Sequence, residues 1–342
     1  MRIATLQDTD ATKWDQFVLG SEMASVYHLT GWRDVIERSF GHRTHYLMAM
    51  EGDEILGILP LVFMKSILFG RSLVSLPFFN YGGIYADRLD IRQLLLQEAV
   101  GLANREKASY IELRHYGSCD LGLRSKTAKV AMILALPSTA EELWSGFRPK
   151  LRSQIRRAER EGMEVRLGGV NLLDGFYRVF STNMRDLGTP VYPKAFFRNI
   201  IETFPTASKI LTILYKQQPV ASGFLVASKG KVEIPWASSL RQYNPLAPNM
   251  LLYWQSLKNS CDCGYAQFDF GRSTIESPTY KFKQQWGARP LQLHWDYWLP
   301  AGSRLPEISP SNPKYRLRIA AWKRLPLAMA NVLGPRIVRH IP

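Results

Sequence analysis

The sequence contains the same order of predicted elements twice: strand, two helices, three strands, helix and strand. Gly57 and Gly223 fall at matching places in the two central hairpins, and the later strand YIELR at Tyr110–Arg114 matches QFDFGR at Gln267–Arg272. A repeat of this size indicates two similarly folded domains, because each copy carries enough strands and helices to bury its own core. The fold class that follows is α+β, with a mixed central sheet in each domain.

Prolines and shifts in composition set the predicted boundaries between these parts. Residues 1–137 form the first predicted domain, residues 138–163 a basic linking helix, and residues 164–299 the second domain. Residues 300–342 combine a Pro-rich linker with a tail that is basic and amphipathic. Such a tail either lies on an anionic membrane face or packs its apolar side on the body of the protein.

The charge balance restricts the partners without selecting one. The formal net charge is +15, from 44 Lys and Arg against 29 Asp and Glu. This excess attracts RNA, nucleotide phosphates, CoA-like donors or an anionic membrane face. The N-terminus lacks the apolar core of a signal peptide, and the longest apolar run, Ile55–Met64, is about half of a membrane span. We therefore expect a cytoplasmic protein, with the inner face of the cytoplasmic membrane as the surface that the tail would meet.

Several kinds of chemistry are not supported by the motifs in this sequence. Cys119, Cys261 and Cys263 are an odd set in a long chain, and we expect all three to be reduced thiols. The six histidines show no metal-ligand spacing, so neither a metal ion nor a bound cofactor is expected. The sequence also lacks a G-x-S-x-G elbow, an HExxH motif and a GxGxxG loop after a strand.

A strongly basic helix is predicted between the two copies, in the segment FRPKLRSQIRRAEREG at Phe147–Gly162. Leu151, Ile155 and Ala158 form an apolar stripe at helical spacing. Arginines recur every four residues along another face, at Arg148, Arg152, Arg156 and Arg160. Like charges at this spacing repel one another. The pattern therefore predicts a surface that faces phosphates or carboxylates, although a solvated helix face gives the same spacing.

A dense group of polar residues follows the strand Gln267–Phe270, in the segment Phe268–Ala288. The pattern predicts a turn at Gly271–Thr274 and a short helix after Pro278, and loops after strands commonly hold ligands. The polar candidates in this segment are Asp269, Arg272, Ser273, Tyr280, Lys281 and Lys283. The structural alternative is an ion pair between Asp269 and Arg272, with both lysines solvated.

Two of these segments resemble the Fem-type (FemAB) transferases, which add amino acids to peptidoglycan precursors. KLRSQIRRAEREG fits the pattern KxRxxIRxAxxxG, and YKFKQQWGA fits FK-x-x-(F/W)-G. Further segments resemble the branch that accompanies exosortase and exopolysaccharide (PEP-CTERM) systems in Gram-negative bacteria. They are NYGG at Asn80–Gly83, NMRDLGTPV at Asn183–Val191, PWASSLRQYN at Pro235–Asn244, PNMLLYW at Pro248–Trp254 and FDFGRST. This likeness covers nearly the whole chain.

The resemblance implies two tandem GNAT-like (acyl-CoA N-acyltransferase) domains that transfer an acyl or aminoacyl group to an amine. It implies that Lys283 faces the donor phosphate and the developing oxyanion, with Phe282 as its packing neighbour. Our hypothesis for the mechanism adds Arg272, which with Lys283 would stabilise the oxyanion or the phosphate end that leaves. Asp269 is the candidate acceptor for the amine proton. The candidate substrate-binding residues are Asn80, Tyr81, Arg152, Arg156, Trp236, Ser238, Asn249, Tyr253, Ser273, Tyr280 and Phe282.

Donor and acceptor stay open at this stage. The second copy has no coiled-coil arm of the kind found in Fem enzymes that use aminoacyl-tRNA, and no recognisable GNAT pyrophosphate loop, so both aminoacyl-tRNA and acyl-CoA remain candidates. The acceptor is expected to be a phosphorylated or lipid-linked glycan or peptidoglycan precursor. The alternative is a non-catalytic, membrane-peripheral accessory of exopolysaccharide assembly that binds glycans through Trp236 and its neighbours. A DNA partner is not expected, since only the net charge favours it.

Overall fold

The computed structural model describes residues 1–66, 69–306 and 316–341. The chain forms two compact units, and each is described separately below. The first unit contains Met1–Val130, Leu291–Ile308 and Arg339–Pro342, and the second contains Ala131–Pro290 and Ser309–Val338. The Pro-rich linker predicted after residue 300 lies partly outside the described residues, because residues 307–315 are not described.

Helices and strands alternate along the chain in the order expected from the sequence. The helices are α1 (Ala11–Gly20), α2 (Gly31–Phe40), α3 (Leu89–Glu106), α4 (Ala140–Gly146), α5 (Pro149–Arg160), α6 (Leu173–Leu187), α7 (Lys194–Thr203), α8 (Pro248–Asp262), α9 (Pro278–Gln284), α10 (Arg316–Trp322) and α11 (Leu327–Val338). The strands are β1 (Arg2–Thr5), β2 (Arg43–Glu51), β3 (Glu54–Ser66), β4 (Gly70–Val74), β5 (Tyr85–Ala86), β6 (Ile111–Tyr116), β7 (Arg124–Lys126), β8 (Lys129–Ala135), β9 (Glu164–Gly168), β10 (Ser208–Tyr215), β11 (Gln218–Ser228), β12 (Lys231–Ser239), β13 (Gln267–Thr274) and β14 (Arg289–Trp298).

The first unit is built on strands in the order β1-β2-β3-β4-β6-β14, with β5 beside β3 and β7 beside β14. The second unit is built on the order β8-β13-β12-β11-β10-β9. The strand pairing in each unit is mixed: β4 with β6 and β12 with β13 are parallel, whereas β2 with β3 and β10 with β11 are antiparallel. Sequence alone grouped β14 with the second copy, whereas it pairs with β6 in the first unit.

The two glycines that match in sequence occupy equivalent places in the two units. Gly57 lies in β3, where a Cβ atom would come within 2.7 Å of Ala86 Cβ and 2.8 Å of Ile91 Cγ2. Gly223 lies in β11, where a Cβ atom would come within 2.7 Å of Ile234 Cδ1. Both strands therefore need a residue without a side chain, because neighbouring elements pack directly on their backbones.

The hairpin between β10 and β11 turns at Lys216 and Gln217, both with positive φ (48° and 62°). Two left-handed residues in a two-residue loop match the twist of the flanking strands. The turn predicted at Gly271–Thr274 is wrong, since β13 continues to Thr274 with only a local distortion at Gly271.

The predicted linking segment, residues 138–163, contains two helices, α4 and α5. The basic segment Phe147–Gly162 forms α5, whose first residue is Pro149. Proline fits this position because the first turn of a helix has no intrahelical use for its N–H groups. Leu151, Ile155 and Ala158 are buried, as their spacing predicts, and α5 packs against α8.

The C-terminal tail packs one face on the second unit. Ala330, Gly334 and Val338 of α11 are buried, and a Cβ atom on Gly334 would lie 2.8 Å from the backbone nitrogen of Val191. Outside this buried stripe, α11 leaves apolar side chains exposed, at Met329, Val332, Leu333 and Ile337. Among the described helices, none combines the length and the apolar character that a membrane span requires.

Candidate functional site

The predicted strand–turn–helix segment places Lys283 in the interior of the second unit. Ser277 caps α9, because its Oγ accepts a hydrogen bond from the backbone N–H of Tyr280 at 3.2 Å, and Pro278 follows at the first helical position. Tyr280 and Lys283, three residues apart on one face of this helix, are only 7% and 8% exposed. A lysine is rarely buried to this extent without specific partners.

Two backbone carbonyls of β13 hold the ammonium of Lys283. Its Nζ donates to the oxygens of Gly271 and Arg272, both at 3.0 Å. Successive carbonyls point to opposite sides of a regular strand. The left-handed φ of +75° at Gly271 breaks this alternation, so both oxygens can face the same group. Since an ammonium carries three N–H donors, one donor of Lys283 has no partner among the residues that the structure describes.

Two carboxylates lie beside this lysine. The parallel register between β12 and β13 pairs Glu233 with Asp269, and both side chains are buried. Asp269 Oδ1 accepts a hydrogen bond from the backbone N–H of Gly271 at 2.7 Å. Burial lowers the pKa of Lys283 to about 8, the charges of Asp269 and Glu233 counter part of this shift, and Arg272 adds to it. Lys283 is therefore mostly protonated at neutral pH.

Aromatic rings line one side of this site. Tyr253 stacks on Phe270 with ring centroids 5.5 Å apart and meets the edge of Phe282 at 5.1 Å. Two polar atoms are buried there without a hydrogen-bond partner in the described part of the chain, Ser273 Oγ and Trp286 Nε1. Buried polar groups without partners are unusual in native proteins. They are positions at which a ligand or a water molecule would complete the hydrogen bonding.

Three further residues predicted to bind substrate, Trp236, Ser238 and Asn249, differ in how far they are buried in the second unit. Trp236 is 7% exposed and packs among Phe196, Phe197 and Phe224, so it belongs to the core and offers no open ring face. Ser238 is buried too, and its Oγ accepts a hydrogen bond from the Asn183 amide at 3.1 Å. Asn249 lies in the first turn of α8 and is partly exposed.

The two predicted arginines of α5 remain accessible. Arg156 is exposed, and its guanidinium lies 5.5 Å from the centre of the Trp144 ring. Arg152 is half-buried, and no carboxylate pairs with it among the described residues. Arg157, which was not predicted, donates to the Pro245 carbonyl at 2.8 Å and ties α5 to the loop before α8.

Asn80 and Tyr81 belong to the first unit. Tyr81 is buried and stacks on Tyr116, with ring centroids 3.7 Å apart. The following Gly83 has no room for a side chain, because a Cβ atom would come within 2.2 Å of the His115 ring. Tyr81 and His115 both line a cavity of about 120 Å³ in this unit.

A buried polar cluster in the first unit was not predicted from the sequence. Asp296 accepts hydrogen bonds from His115 Nδ1 at 2.8 Å, from Cys119 Sγ at 3.2 Å and from the Ser125 hydroxyl. The backbone N–H of Ile84 donates to His115 Nε2 at 2.9 Å, which leaves the ring proton on Nδ1. Burial and the charge of Asp296 raise the pKa of the Cys119 thiol to about 12, so the thiol is a hydrogen-bond donor.

His115, Cys119 and Asp296 have ligand-type atoms within 4.8 Å of one another, as in a metal site. Hydrogen bonds already satisfy all three, and a metal ion on Nδ1 would place the other ring N–H against the N–H of Ile84. The arrangement therefore fits a structural hydrogen-bond cluster. No local spacing signals it, since Asp296 is 181 residues from His115.

Sequence reasoning also missed Glu233. The signal is visible in retrospect, because a single acidic residue interrupts the strand KVEIPWASS at Lys231–Ser239. Its position opposite Asp269 follows from strand register, which the sequence does not specify.

Comparison with known proteins supports this architecture. Residues 145–284 match the family Acetyltransferase (GNAT) domain. The fold is similar to a crystal structure of FemX, with a TM-score of 0.69 and 15% sequence identity over 93% of this chain and 99% of the other. It is also similar to a tandem GNAT protein from the clavulanic acid biosynthesis pathway, with a TM-score of 0.57 and 10% identity over 89% of this chain and 99% of that one.

A third similar structure is the C-terminal domain of a putative lysylphosphatidylglycerol synthetase from Agrobacterium fabrum. Its TM-score is 0.56, with 14% identity over 84% of this chain and 91% of the other. No curated protein sequence is significantly similar to this chain. At these identities the likeness concerns the fold, and it confirms the predicted α+β class with two tandem GNAT-like domains.

Proposed function

We propose that this protein transfers an acyl or aminoacyl group to an amine of a cell-envelope glycan or peptidoglycan precursor. The observation that carries the proposal is Lys283, a buried ammonium that two carbonyls fix in place and whose third N–H donor has no partner among the described residues. Fixed donors of this kind stabilise negative charge that develops only in a transition state. The GNAT fold of the second unit agrees with acyl transfer.

The chemistry follows from the position of these groups. The acceptor amine attacks the carbonyl carbon of a thioester or ester, so a C–N bond forms and the C–S or C–O bond breaks. The oxygen of the tetrahedral intermediate receives the third N–H of Lys283. The proton of the amine passes to a carboxylate, for which Asp269 and Glu233 are the buried candidates, and from there to the thiolate or alkoxide of the departing carrier. Arg272 is exposed, and we assign it to the phosphate end of the donor.

The donor within this proposal is aminoacyl-tRNA or acyl-CoA. Both carry an activated carbonyl at the end of a phosphate-bearing carrier, and the accessible Arg152 and Arg156 suit such a carrier. The likeness of the sequence to the exosortase-associated branch favours an exopolysaccharide component as acceptor.

The experiment compares the two donors directly. Purified protein is incubated with either labelled acetyl-CoA or labelled alanyl-tRNA, together with the envelope-precursor fraction of a strain in which the gene is deleted. Transfer of label from one donor to an amine in that fraction, identified by mass spectrometry, is the expected result. If neither donor labels the fraction and the strain shows no missing acyl or aminoacyl group, the proposal is wrong.

The pH dependence of transfer tests the charge state of Lys283. The rate of the wild-type protein divided by that of the Lys283→Met variant is expected to fall as the pH rises through about 8, because the pKa of Lys283 is about 8 and the proposed role needs the ammonium. Using the ratio removes the titration of the acceptor amine. A ratio that instead rises through the same pH would show that neutral Lys283 acts as a base.

We also propose that the tail contacts an anionic membrane face. Residues 308–342 contain seven Lys and Arg and no acidic residue, and α11 exposes the apolar side chains of Val332 and Leu333. The double variant Val332→Ser/Leu333→Ser is expected to bind phosphatidylglycerol vesicles at least ~10-fold more weakly in sedimentation at low salt. The control Leu187→Ser/Ile275→Ser removes two other exposed apolar residues of the second unit. Equal binding by wild type and double variant would contradict this contact.

A further inference from the structure

A second concave site lies in the first unit, and it shares no lining residue with the cavity beside the Asn80–Gly83 loop. The site has a volume of about 460 Å³, within the usual range of sites that hold small organic ligands. It is formed where α2 leads into β2, by the facing ends of β3 and β4, by the end of α3, and by a residue from the C-terminus. The lining residues are Gly41, His42, Arg43, Phe63, Lys65, Arg71, Glu106 and Arg339.

Two hydrogen bonds fix the C-terminal residues in this site. His42 Nε2 donates to the carbonyl oxygen of Arg339 at 2.8 Å, and His340 Nδ1 donates to that of Lys65 at 3.1 Å. Burial and the neighbouring charges of Arg339 and His340 lower the pKa of His42 to about 4, so His42 is neutral at physiological pH. The backbone at Arg339 is therefore held in place, and its side chain lines the site.

The charges of the site do not balance. Four cationic side chains line it, from Arg43, Lys65, Arg71 and Arg339, against the single carboxylate of Glu106. Arg43 forms an ion pair with that carboxylate at 2.7 Å. Arg71 donates a hydrogen bond to the backbone oxygen of Glu106 at 3.4 Å and has no ion pair with its carboxylate.

The other two cations, Lys65 and Arg339, have fewer polar partners among the described residues. Lys65 Nζ pairs with no carboxylate in the part of the chain that the structure describes. Arg339 Nε is buried and has no hydrogen-bond partner among the described atoms. Like charges gathered around one cavity repel one another, and a bound anion would offset that repulsion.

We propose that this site binds a phosphate group, carried either by a small phosphorylated molecule or by a lipid headgroup. A phosphate monoester or a diphosphate carries two or more negative charges, which balance the excess of cationic side chains that line this site. Guanidinium groups bind phosphate oxygens through paired N–H donors, and the lysine adds a point charge. Arg43 remains on Glu106, which leaves Lys65, Arg71 and Arg339 as the binding groups. The site needs no acyl transfer to operate and goes beyond the function proposed above.

Binding of two soluble probes to the full-length protein tests this site. Inorganic pyrophosphate represents a free phosphorylated compound, and dihexanoyl phosphatidic acid, used as a monomer, represents a lipid headgroup. Dihexanoyl phosphatidylcholine, which has no phosphate monoester, is the negative probe. The double variant Lys65→Gln/Arg71→Gln is expected to weaken calorimetric binding of the preferred probe at least ~10-fold, because two charged contacts are lost. Lys65 and Arg71 are exposed, so their replacement leaves the core intact.

The controls separate a specific site from general attraction. Arg2→Gln/Arg124→Gln removes two exposed cations from other strands of the same unit and is expected to leave binding unchanged. Arg339→Gln is expected to weaken binding to a similar extent as the double variant, because Arg339 completes the site. Tighter binding of pyrophosphate identifies a free phosphorylated ligand, and binding of phosphatidic acid alone identifies a lipid headgroup. Absence of binding to both probes, or equal losses in the control, overturns the proposal.

Discussion

Replacing Lys283 by Met is expected to lower the rate of transfer by about 10²- to 10³-fold, the usual effect of removing one oxyanion donor. Met fills a similar volume with an unbranched chain but has no N–H to give. In the structure the oxygens of Gly271 and Arg272 fix the ammonium. Its third N–H donor therefore needs little rearrangement of the protein to stabilise the oxyanion during the reaction. The loss should appear in kcat more than in KM, because the contact forms in the transition state.

The matched control is two residues earlier on the same helix. Lys281 is exposed and pairs with Glu276 at 3.3 Å on the surface, so Lys281→Met removes the same charge without touching the site. It is expected to keep nearly the full rate of transfer. If Lys283→Met transfers as fast as the wild type, Lys283 has no role in catalysis, whatever the other variants do.

The same substitution has a second consequence that needs no substrate. The pKa of Lys283 falls from 10.5 to about 8 on folding, so between these pH values the unfolded chain binds more protons than the folded one. The free energy of unfolding of the wild type should therefore rise with pH across this window, relative to that of Lys283→Met, by about 3 kcal/mol. Urea unfolding of both proteins at pH 7.5–10.5 measures this difference. If the free energies of unfolding of the two proteins differ by the same amount at every pH, Lys283 is solvated in the folded protein.

Most of the architecture could be predicted because its signals are local. The apolar run Ile55–Met64 in β3 and the short helix α9 after Pro278 each depend on a few neighbouring residues. The repeat supports the same prediction a second time, because Gly57 and Gly223 lie at equivalent close contacts in the two units. The pairing of β14 could not be predicted this way, because strand partners far apart in sequence are chosen by packing.

The candidate site was predicted less completely. Lys283 and Asp269 lie in one segment, so their proximity was visible, but the burial of Lys283 depends on how Gly271 distorts β13. Glu233 enters through the register of a parallel strand pair that joins distant segments. The basic site of the first unit depends on contacts between residues 297 positions apart, such as His42 with Arg339, for which no sequence periodicity exists.

Replacing Asp296 by Ala is expected to lower the free energy of unfolding by about 3–5 kcal/mol, as in other cases where one member of a buried charged cluster is removed. The side chain is buried and receives hydrogen bonds from His115, Cys119 and Ser125, all of which would be left without an acceptor. The substitution should also destabilise the Asn80–Gly83 loop, because the ring of His115 packs against Gly83.

The measurement is urea unfolding at neutral pH, with Asp87→Ala as the control. Asp87 is exposed and accepts one hydrogen bond from the Tyr85 hydroxyl, so its loss should change stability by less than about 1 kcal/mol. Burial disfavours the charge of Asp296, but hydrogen bonds from His115 and Ser125 outweigh it and keep the pKa below 3.8.

A carboxylate whose pKa is lowered on folding stabilises the protein above its unfolded pKa, and this contribution disappears as the pH falls through the folded value. The difference between wild type and Asp296→Ala should therefore be constant from pH 7 to about pH 5 and shrink below pH 4, toward the folded pKa of Asp296. A difference that shrinks already between pH 7 and pH 5 would contradict the assignment of this stabilisation to the carboxylate of Asp296.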